Sequence, residues 1–371
     1  MSVVKFPPYR AFARLDLSAL RRNFCLLRDL ARQTSPHAHV IAVVKDNAYG
    51  HGLRHTVPAL TAAGCRLFAV ATAAEALAVR ALAPKAGILV LGYTPPQIAP
   101  VLAAQHVAQT VISAPYGAAL SAAMAGRGRL AVHIKLDGGM CRQGLDPHDR
   151  KALLATLALE NLRPTGLYTH FPTADTDPTA TRRSFAAFLA CRRAAAKAGY
   201  PLFCHAAASA ALLTCPETVA DGVRPGLALY GIAPVPTRLP LRPVLSLHAP
   251  VIRLQRVPAG TPVGYGGDFV TARPSLVGTL PIGYGDGTAR ALQGLSVTLS
   301  HGDKRFSVPL IGRICMDHCM VDLTDTPACV GDTVCLFDSA APIAARLHTI
   351  PYEVLTGIAP RVARLPQNPT R

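Results

Sequence analysis

The sequence predicts an α/β protein, with an N-terminal (β/α)8 TIM-type barrel followed by a C-terminal antiparallel β domain. From about residue 16 to residue 243, short apolar runs alternate with helix-like stretches, which is the pattern of βαβ units. After Pro243 the chain changes to β-branched runs between Pro and Gly turns, with almost no helical periodicity. The 371 residues also exceed the length, about 250 to 300 residues, at which single cores stop growing. We therefore expect a barrel over residues 1–244 and a β domain over residues 245–371.

The barrel elements are expected in the following order. Asp16 can cap a first helix, in which apolar residues such as Leu20, Phe24 and Leu27 share one face. Strand candidates then lie at residues 39–44, 67–72, 87–91, 107–112, 130–136, 165–170, 201–205 and 227–231. Stretches rich in Ala, Leu and Arg between them, such as 73–83 and 179–199, are expected to be helices. Because the strands are nearly all apolar, and therefore buried on both faces, a closed barrel is favoured over an open doubly wound sheet.

Composition narrows the class of protein. The formal charge is +17 and the pI near 9.8, but the 38 Lys and Arg residues are scattered without a run of five and Trp is absent. This scatter argues against a nucleic-acid partner. No apolar run can span a bilayer and the N-terminal stretch does not resemble a secretory signal, so we expect a cytoplasmic protein without a membrane partner. The ten cysteines contain no C-x-x-C pair, and most of them are expected to be small core residues, with no metal site.

The stretch AVVKDNAYGHG, residues 42–52, places Lys45 at the end of the first predicted barrel strand. Barrel enzymes carry their chemistry at that end of the strands. A lysine is usually a surface residue, but here an apolar strand leads into it. Partial desolvation lowers the pKa of a lysine and makes its amine nucleophilic. The sequence thus predicts a lysine able to form a Schiff base, with Tyr49 four residues on, able to reach a ligand held there.

The chain around the seventh and eighth predicted strands offers groups for a phosphate. Ser209 lies at an expected helix start, and the backbone N–H groups of Gly226 and Leu227 follow in RPGLALYG. Taken singly, the serine reads as a helix cap and the glycine as a turn. Barrels commonly bind phosphate at the loops after their last two strands, and a phosphate together with a lysine indicates pyridoxal 5'-phosphate (PLP).

These residues and several further blocks resemble the alanine racemase family, whose members are PLP-dependent enzymes of fold type III, over nearly the whole chain. Besides AVVKDNAYGHG, the blocks in family order are HIKLDGGMCRQG (133–144), GLYTHFPTAD (166–175), VRPGLALYG (223–231), PVGYGGDF (262–269), LPIGYGDG (280–287) and GRICMDHCMVDL (312–323). Many blocks in order are far more specific than one motif. The fold that the family implies is the one expected above from pattern.

The resemblance implies the two catalytic bases. Lys45 matches the Schiff-base lysine, which takes the α-proton of the D enantiomer, and Tyr265 matches the base that takes it from the L enantiomer. Racemisation removes a proton on one face and returns it on the other, so two bases are the direct solution. Because neutral tyrosine is a poor base, Arg224 and His170 are expected to stabilise its phenolate.

The resemblance also implies binding roles. Arg224 matches the residue at the PLP pyridine nitrogen and His170 a residue packed on the ring, while the phosphate contacts match Tyr49, Ser209, Gly226, Leu227 and Tyr352. Arg142 and the backbone of Met316 match the substrate carboxylate contacts, and Tyr284 an aromatic at the substrate entrance. Lys135 matches a lysine that is often carbamylated, which would provide an anion to fix Arg142.

The implied function is an alanine racemase that interconverts L- and D-alanine and supplies D-alanine for peptidoglycan. The family's head-to-tail homodimer implies that Tyr265 and Met316 serve the partner's barrel. Two departures from the family pattern are Ala208, where Asn is usual, and Gly138, where Thr is usual. Alternatives are a serine or broad-specificity racemase, a PLP-dependent decarboxylase with a catalytic Cys near Cys315, a single-domain PLP-binding protein, and a non-enzymatic basic binding protein.

Overall fold

The computed structural model describes residues 8–367, and the chain divides into two units. Within the described residues, the barrel unit comprises residues 18–242, and the β unit comprises residues 8–17 together with residues 243–367. Strands and helices are numbered along the chain.

A closed barrel of parallel strands forms the centre of the barrel unit. Its strands are β2 (His39–Val43), β3 (Leu67–Val70), β4 (Gly87–Val90), β5 (Val107–Val111), β6 (Leu130–Lys135), β7 (Leu162–Tyr168), β8 (Phe203–Ala208) and β9 (Gly222–Arg224). Each strand pairs with the next, and β2 closes the barrel by pairing with β9, with Val40 opposite Val223. Interior residues such as Phe68, Val90 and Leu167 are fully buried, as expected for strands covered on both faces.

Helices alternate with these strands along the chain. They are α1 (Leu17–Thr34), a short turn α2 (Lys45–Tyr49), α3 (Leu53–Ala62), α4 (Ala73–Leu82), α5 (Ala99–Ala104), α6 (Ala114–Ala123), α7 (Arg150–Leu157), α8 (Pro178–Lys197) and α9 (Ser209–Thr214). In α1, Leu20, Phe24 and Leu27 are buried at helical spacing. Thr72 caps α4 through a capping box with Glu75. The predicted fold of the barrel is therefore confirmed.

The β unit is built on one large, mainly antiparallel sheet of nine strands. Its members are β1 (Phe12–Leu15), β10 (Leu245–Pro250), β11 (Arg253–Val257), β14 (Ser275–Leu280), β15 (Ser296–His301), β16 (Lys304–Ile311), β17 (Cys319–Asp322), β18 (Thr333–Phe337) and β19 (Ala363–Pro366). The short strands β12 (Pro262–Val263) and β13 (Phe269–Val270) form a separate ribbon, and two helices follow, α10 (Ala340–Arg346) and α11 (Pro351–Thr356).

Three features of the fold differ from the sequence prediction. The run LALYG was expected as a strand, but Leu227–Tyr230 forms a 3-10 helix and the eighth barrel strand is the three-residue β9 just before it. The N-terminal strand β1 was not foreseen and pairs with β10 and β19, so residues 8–17 belong to the β unit rather than to the barrel expected over residues 1–244. Helices α10 and α11 were also missed.

Candidate active site

The predicted site residues of the barrel unit lie at the carboxyl ends of its strands. Lys45 follows β2, Lys135 ends β6, His170 follows β7, Ser209 follows β8, and Arg224 ends β9. Since the strands are parallel and closed into a barrel, their carboxyl ends meet at one rim. The structure thus collects at one end of the barrel residues that the sequence separates by up to 179 positions.

Lys45 is followed by a left-handed turn. The four residues after it, Asp46 to Tyr49, all have φ between +52° and +57°, a region that non-glycine residues rarely enter and then singly. The turn is held at both ends, because Asn47 Oδ1 accepts from the Leu53 N–H at 2.9 Å and the Asn47 N–H donates to Glu75 at 3.1 Å. Lys45 itself is half-buried, with 40% of its side chain exposed.

Tyr49 belongs to a cradle formed with Gly226 and Ser209. A Cβ on Gly226 would lie 2.4 Å from the Tyr49 hydroxyl, so only glycine lets that hydroxyl approach the backbone so closely. Ser209 Oγ accepts from the backbone N–H of Gly226 at 3.0 Å and from that of Ala228 at 3.3 Å. The Tyr49 ring is buried against Tyr230, with 4.9 Å between centroids. The cradle therefore joins three of the residues predicted to contact a phosphate.

Arg224 is buried at the end of β9 and donates to four acceptors of the barrel. One terminal nitrogen, Nη1, contacts His205 Nδ1 at 2.8 Å and the His205 carbonyl at 2.9 Å, and Nη2 contacts the carbonyls of Thr169 and Ala206 at 2.6 and 3.0 Å. A guanidinium has five N–H donors and no acceptor. The fifth, on Nε, has no hydrogen-bond acceptor within residues 8–367 and is available to a ligand.

The contact to Arg224 fixes the tautomer of His205. Because the guanidinium can only donate, His205 Nδ1 must accept, so the His205 proton is on Nε2 and is donated to His133 Nδ1 at 2.8 Å. Burial, reinforced by the charge of Arg224, lowers the pKa of His133 to about 4 and that of His205 well below its usual value. Both rings are therefore neutral at physiological pH.

Positive charge dominates the rim of the barrel. Burial lowers the pKa of His170 to about 3, and the nearby charges of Arg224, Arg142, Lys135 and Lys45 lower it further. Burial likewise lowers the pKa of Lys135 to about 8, with Arg142 and Arg224 adding to the shift and Asp137 opposing it. Four cations thus converge on a neutral histidine. Such a field favours an anionic ligand.

The loop before Arg142 contains Gly138, one of the two departures from the family pattern. A Cβ on Gly138 would lie 2.1 Å from the carbonyl oxygen of His170, so this backbone path requires glycine. The Asp137 carboxylate accepts from the backbone N–H groups of Gly139, Met140 and Cys141 and holds the loop. At the other departure, Ala208 precedes α9 without a side-chain cap.

The remaining predicted residues belong to the β unit. Tyr265 begins a 3-10 turn between β12 and β13 and is 71% exposed, and Met316 is 56% exposed. Tyr284 is also exposed and lies on a loop whose backbone bonds to the Met316 segment, with the Gly285 N–H donating to the Met316 carbonyl at 2.9 Å. Tyr352 lies in α11.

Several residues of the site were missed by sequence reasoning. His205 and His133 complete the hydrogen-bond chain from Arg224, and Thr169 supplies one of its carbonyl acceptors. A signal was available for His133, because it precedes Lys135 by two positions on β6 and must face the same side of the strand. Gly166 makes room for it, since a Cβ there would lie 2.5 Å from the His133 ring.

Other predicted features bear less on the site. Of the ten cysteines, all of which are free thiols, five are buried, three are half-buried, and Cys141 and Cys329 are exposed. Within residues 8–367, no group of three or more His, Cys, Asp or Glu side chains is arranged to hold a metal ion. None of the helices in the described chain combines the length and apolar character needed to cross a membrane.

Comparison with known proteins places this geometry in a family. Models of the alanine racemase N-terminal and C-terminal domains match residues 15–234 and 244–366. An alanine racemase of Desulfovibrio desulfuricans is 39% identical over 366 residues, covering 95% of this chain and 97% of its own, and one of Clostridium novyi is 35% identical over 376 residues, covering 95% and 94%.

Solved structures agree with the sequence relatives. The crystal structure of alanine racemase from Bacillus anthracis with bound L-Ala-P has a TM-score of 0.88 and 32% identity, covering 99% of this chain and 97% of its own. That from Bartonella henselae, with covalently bound pyridoxal phosphate, has a TM-score of 0.84 and 30% identity, covering 97% and 100%. Two domain models, relatives at this identity and a shared fold together show that this chain belongs to the alanine racemase family.

Proposed function

We propose that this protein is a PLP-dependent alanine racemase that interconverts L- and D-alanine with Lys45 and Tyr265 as its two bases. The observation that carries the proposal is the rim of the barrel, where Lys45, the charges of Arg142 and Arg224, and a cradle around Gly226 lie at the carboxyl ends of the strands. This arrangement fits a phosphorylated cofactor and a substrate carboxylate.

The residues present fit PLP. Lys45 would hold it covalently, Tyr49, Ser209, Gly226, Leu227 and Tyr352 would hold its phosphate, and His170 and Arg224 its ring. The close approach of Tyr49 to Gly226 supports this assignment, because that approach leaves no room for a side chain. When bound, PLP carries the amino nitrogen of the substrate and withdraws electrons from Cα, which acidifies the α-proton.

Arg224 is the donor proposed for the pyridine nitrogen. Its terminal nitrogens are committed to protein acceptors, which leaves Nε–H for a ligand. Burial lowers the pKa of Arg224 to about 10, so the guanidinium stays protonated at neutral pH and does not give up its proton. Because the guanidinium keeps its proton, the pyridine nitrogen would stay unprotonated and the ring would withdraw electrons less strongly, which limits side reactions such as transamination.

Lys45 and Tyr265 would exchange the α-proton on opposite faces. Lys45 would accept the proton from D-alanine and return it when L-alanine reacts, and Tyr265 would do the converse. Because Tyr265 is exposed on the β unit, we propose that it serves the barrel of the second chain in a head-to-tail homodimer, as does Met316.

Arg142 and the backbone of Met316 would bind the substrate carboxylate, and Tyr284 would line the entrance. Lys135 is proposed to carry a carbamate that fixes Arg142. Its lowered pKa supports this, since only the neutral amine reacts with CO₂ and a pKa of about 8 provides it near neutral pH. The carbamate would also turn a buried ammonium beside two arginines into an anion.

A chiral assay of the holoenzyme with L-alanine and L-serine tests the function. We expect D-alanine to form faster than D-serine, with D-alanine then available for peptidoglycan in the cytoplasm. A higher rate with L-serine would instead identify a serine or broad-specificity racemase. Lys45→Ala should abolish racemisation and the absorption that depends on the covalent link between lysine and cofactor, whereas unimpaired racemisation would refute the mechanism.

Tyr265→Phe tests the second base. We expect a loss of at least about 100-fold in kcat, the range of general acid–base catalysis, with the cofactor still bound. Tyr200→Phe is the matched control, because Tyr200 precedes β8 and so lies at the opposite end of the barrel. Dilution that separates the subunits should also abolish activity, and full activity of a monomer would refute the shared site.

A further inference from the structure

A cluster of charged side chains within the β unit is not explained by the roles above. Asp286, whose side chain is 1% exposed, accepts from Arg361 Nε at 2.7 Å and pairs with Arg10 at 3.4 Å. The second arm of Arg361 reaches Asp317 at 2.7 Å. We call these four residues the Asp286 clamp. A buried carboxylate is costly unless it is paired, and the two arginines provide that pairing.

The clamp fixes the loop that contains Tyr284. The other oxygen of Asp286 accepts from the Gly283 N–H at 3.0 Å, and the Asp286 carbonyl accepts from the Ala359 N–H at 3.1 Å. Loop 283–287 is therefore tied through Asp286 to the segment that carries Arg361.

The same loop is in direct contact with the Met316 segment. A Cβ on Gly283 would lie 2.2 Å from the Cys315 carbonyl, and a Cβ on Gly285 would lie 2.6 Å from the Arg361 guanidinium. The N–H groups of Tyr284 and Gly285 donate to the carbonyls of Cys315 and Met316 at 3.0 and 2.9 Å. Any shift of the loop thus moves the backbone of Met316.

These bonds determine where the Met316 N–H points. In a trans peptide the N–H of one residue is antiparallel to the carbonyl of the preceding residue. Because the Cys315 carbonyl is held by the Tyr284 N–H, the Met316 N–H must point away from loop 283–287. The Asp286 clamp therefore sets the direction of the Met316 N–H through loop 283–287.

We propose that Asp286 and Arg361 are positioning residues that orient the Met316 backbone toward the substrate carboxylate, and so set affinity for the amino acid without taking part in proton transfer. This inference rests on the proposed function, in which Met316 contacts the carboxylate. It goes beyond that function because it assigns a substrate-affinity role to residues that contact neither substrate nor cofactor.

Steady-state kinetics of the holoenzyme in both directions test the inference. For Arg361→Gln we expect KM for L- and D-alanine to rise about tenfold, as for the loss of one good hydrogen bond to a charged group, while kcat changes less than about twofold. Arg361→Lys, which can reach only one of the two aspartates, should give an intermediate KM. The absorption spectrum of the bound cofactor should not change.

Two further variants keep the test decisive. Asp286→Asn combined with Arg361→Gln leaves no buried charge and should fold even if Asp286→Asn alone does not; its KM should match that of Arg361→Gln. Arg273→Gln breaks an exposed ion pair with Asp325 in the same unit and should leave KM unchanged. An unchanged KM in Arg361→Gln, or a loss confined to kcat, would overturn the inference. A wild-type holoenzyme that does not racemise alanine would instead overturn the proposed function.

Discussion

Gly226→Ala offers a direct test of the phosphate cradle. The added Cβ would lie 2.4 Å from the Tyr49 hydroxyl and 3.1 Å from its Cζ, and an ordinary contact begins at 3.4 Å. The hydroxyl would have to move by about 1 Å, enough to break its proposed hydrogen bond to the phosphate, and a hydrogen bond to a charged group is worth roughly 1.5–3 kcal/mol. The tyrosine ring cannot yield easily, because it is buried against Tyr230. We therefore expect the dissociation constant of PLP to rise between about 10- and 100-fold.

Cofactor titration followed by absorbance, on apoenzyme and with melting temperature measured in parallel, checks this expectation. Tyr49→Phe removes the colliding hydroxyl, so it should weaken PLP binding by itself but relieve part of the cost of Gly226→Ala. The double variant should therefore bind PLP more tightly than the two single losses added together predict. Additive losses, or Gly226→Ala binding PLP within twofold of wild type, would refute the collision as the cause.

Three further predictions concern stability and modification. His133 and His205 have a lower pKa in the folded protein than the value near 6.5 expected in the unfolded chain. The free energy of unfolding should therefore fall as pH drops from about 6.5 toward 4, by up to about 1.4 kcal/mol per pH unit for each histidine. Denaturant unfolding at pH 7 and pH 5 measures this fall, and His37→Gln, at an exposed position, should leave its slope against pH unchanged. Thr72→Ala should cost about 1 kcal/mol of unfolding free energy through loss of the α4 cap, and no change in the denaturant midpoint would contradict it. Lys135 should gain a CO₂ adduct in bicarbonate above pH 8, where its amine is mostly neutral, and lose it well below that pH. Intact mass spectrometry should show the added mass in the wild type and not in Lys135→Arg.

Much of the barrel could be predicted because its strands are short apolar runs bounded by helices. The exception is the last barrel strand. Strand β9 has only three residues, too few for any periodicity to register, whereas the apolar run after it is buried for a different reason, as a 3-10 helix behind the cradle. The four residues of β1 likewise carry no signal that their partners lie more than 200 positions away.

Individual site residues were predictable where a short motif surrounds them, as with Lys45 in AVVKDNAYGHG and Gly226 in RPGLALYG. The residues that orient others were not. Asp286 and Arg361 are 75 positions apart, and nothing in their local sequence indicates that they meet. His205 was noticed only as part of a strand, since its role depends on the distance to Arg224, which a single sequence does not provide.

The left-handed turn after Lys45 also limits how far this motif could be transplanted. Four successive residues with positive φ cost roughly 1–2 kcal/mol each, a sum comparable with the stability of a whole domain. Only the surrounding barrel offsets it, through contacts such as Asn47 with Glu75 and the ring of His51 stacked on Tyr230. An eleven-residue graft of AVVKDNAYGHG into another barrel would therefore be expected to relax into an ordinary loop and lose the direction of its lysine. A designer would have to carry over the neighbours of the turn as well.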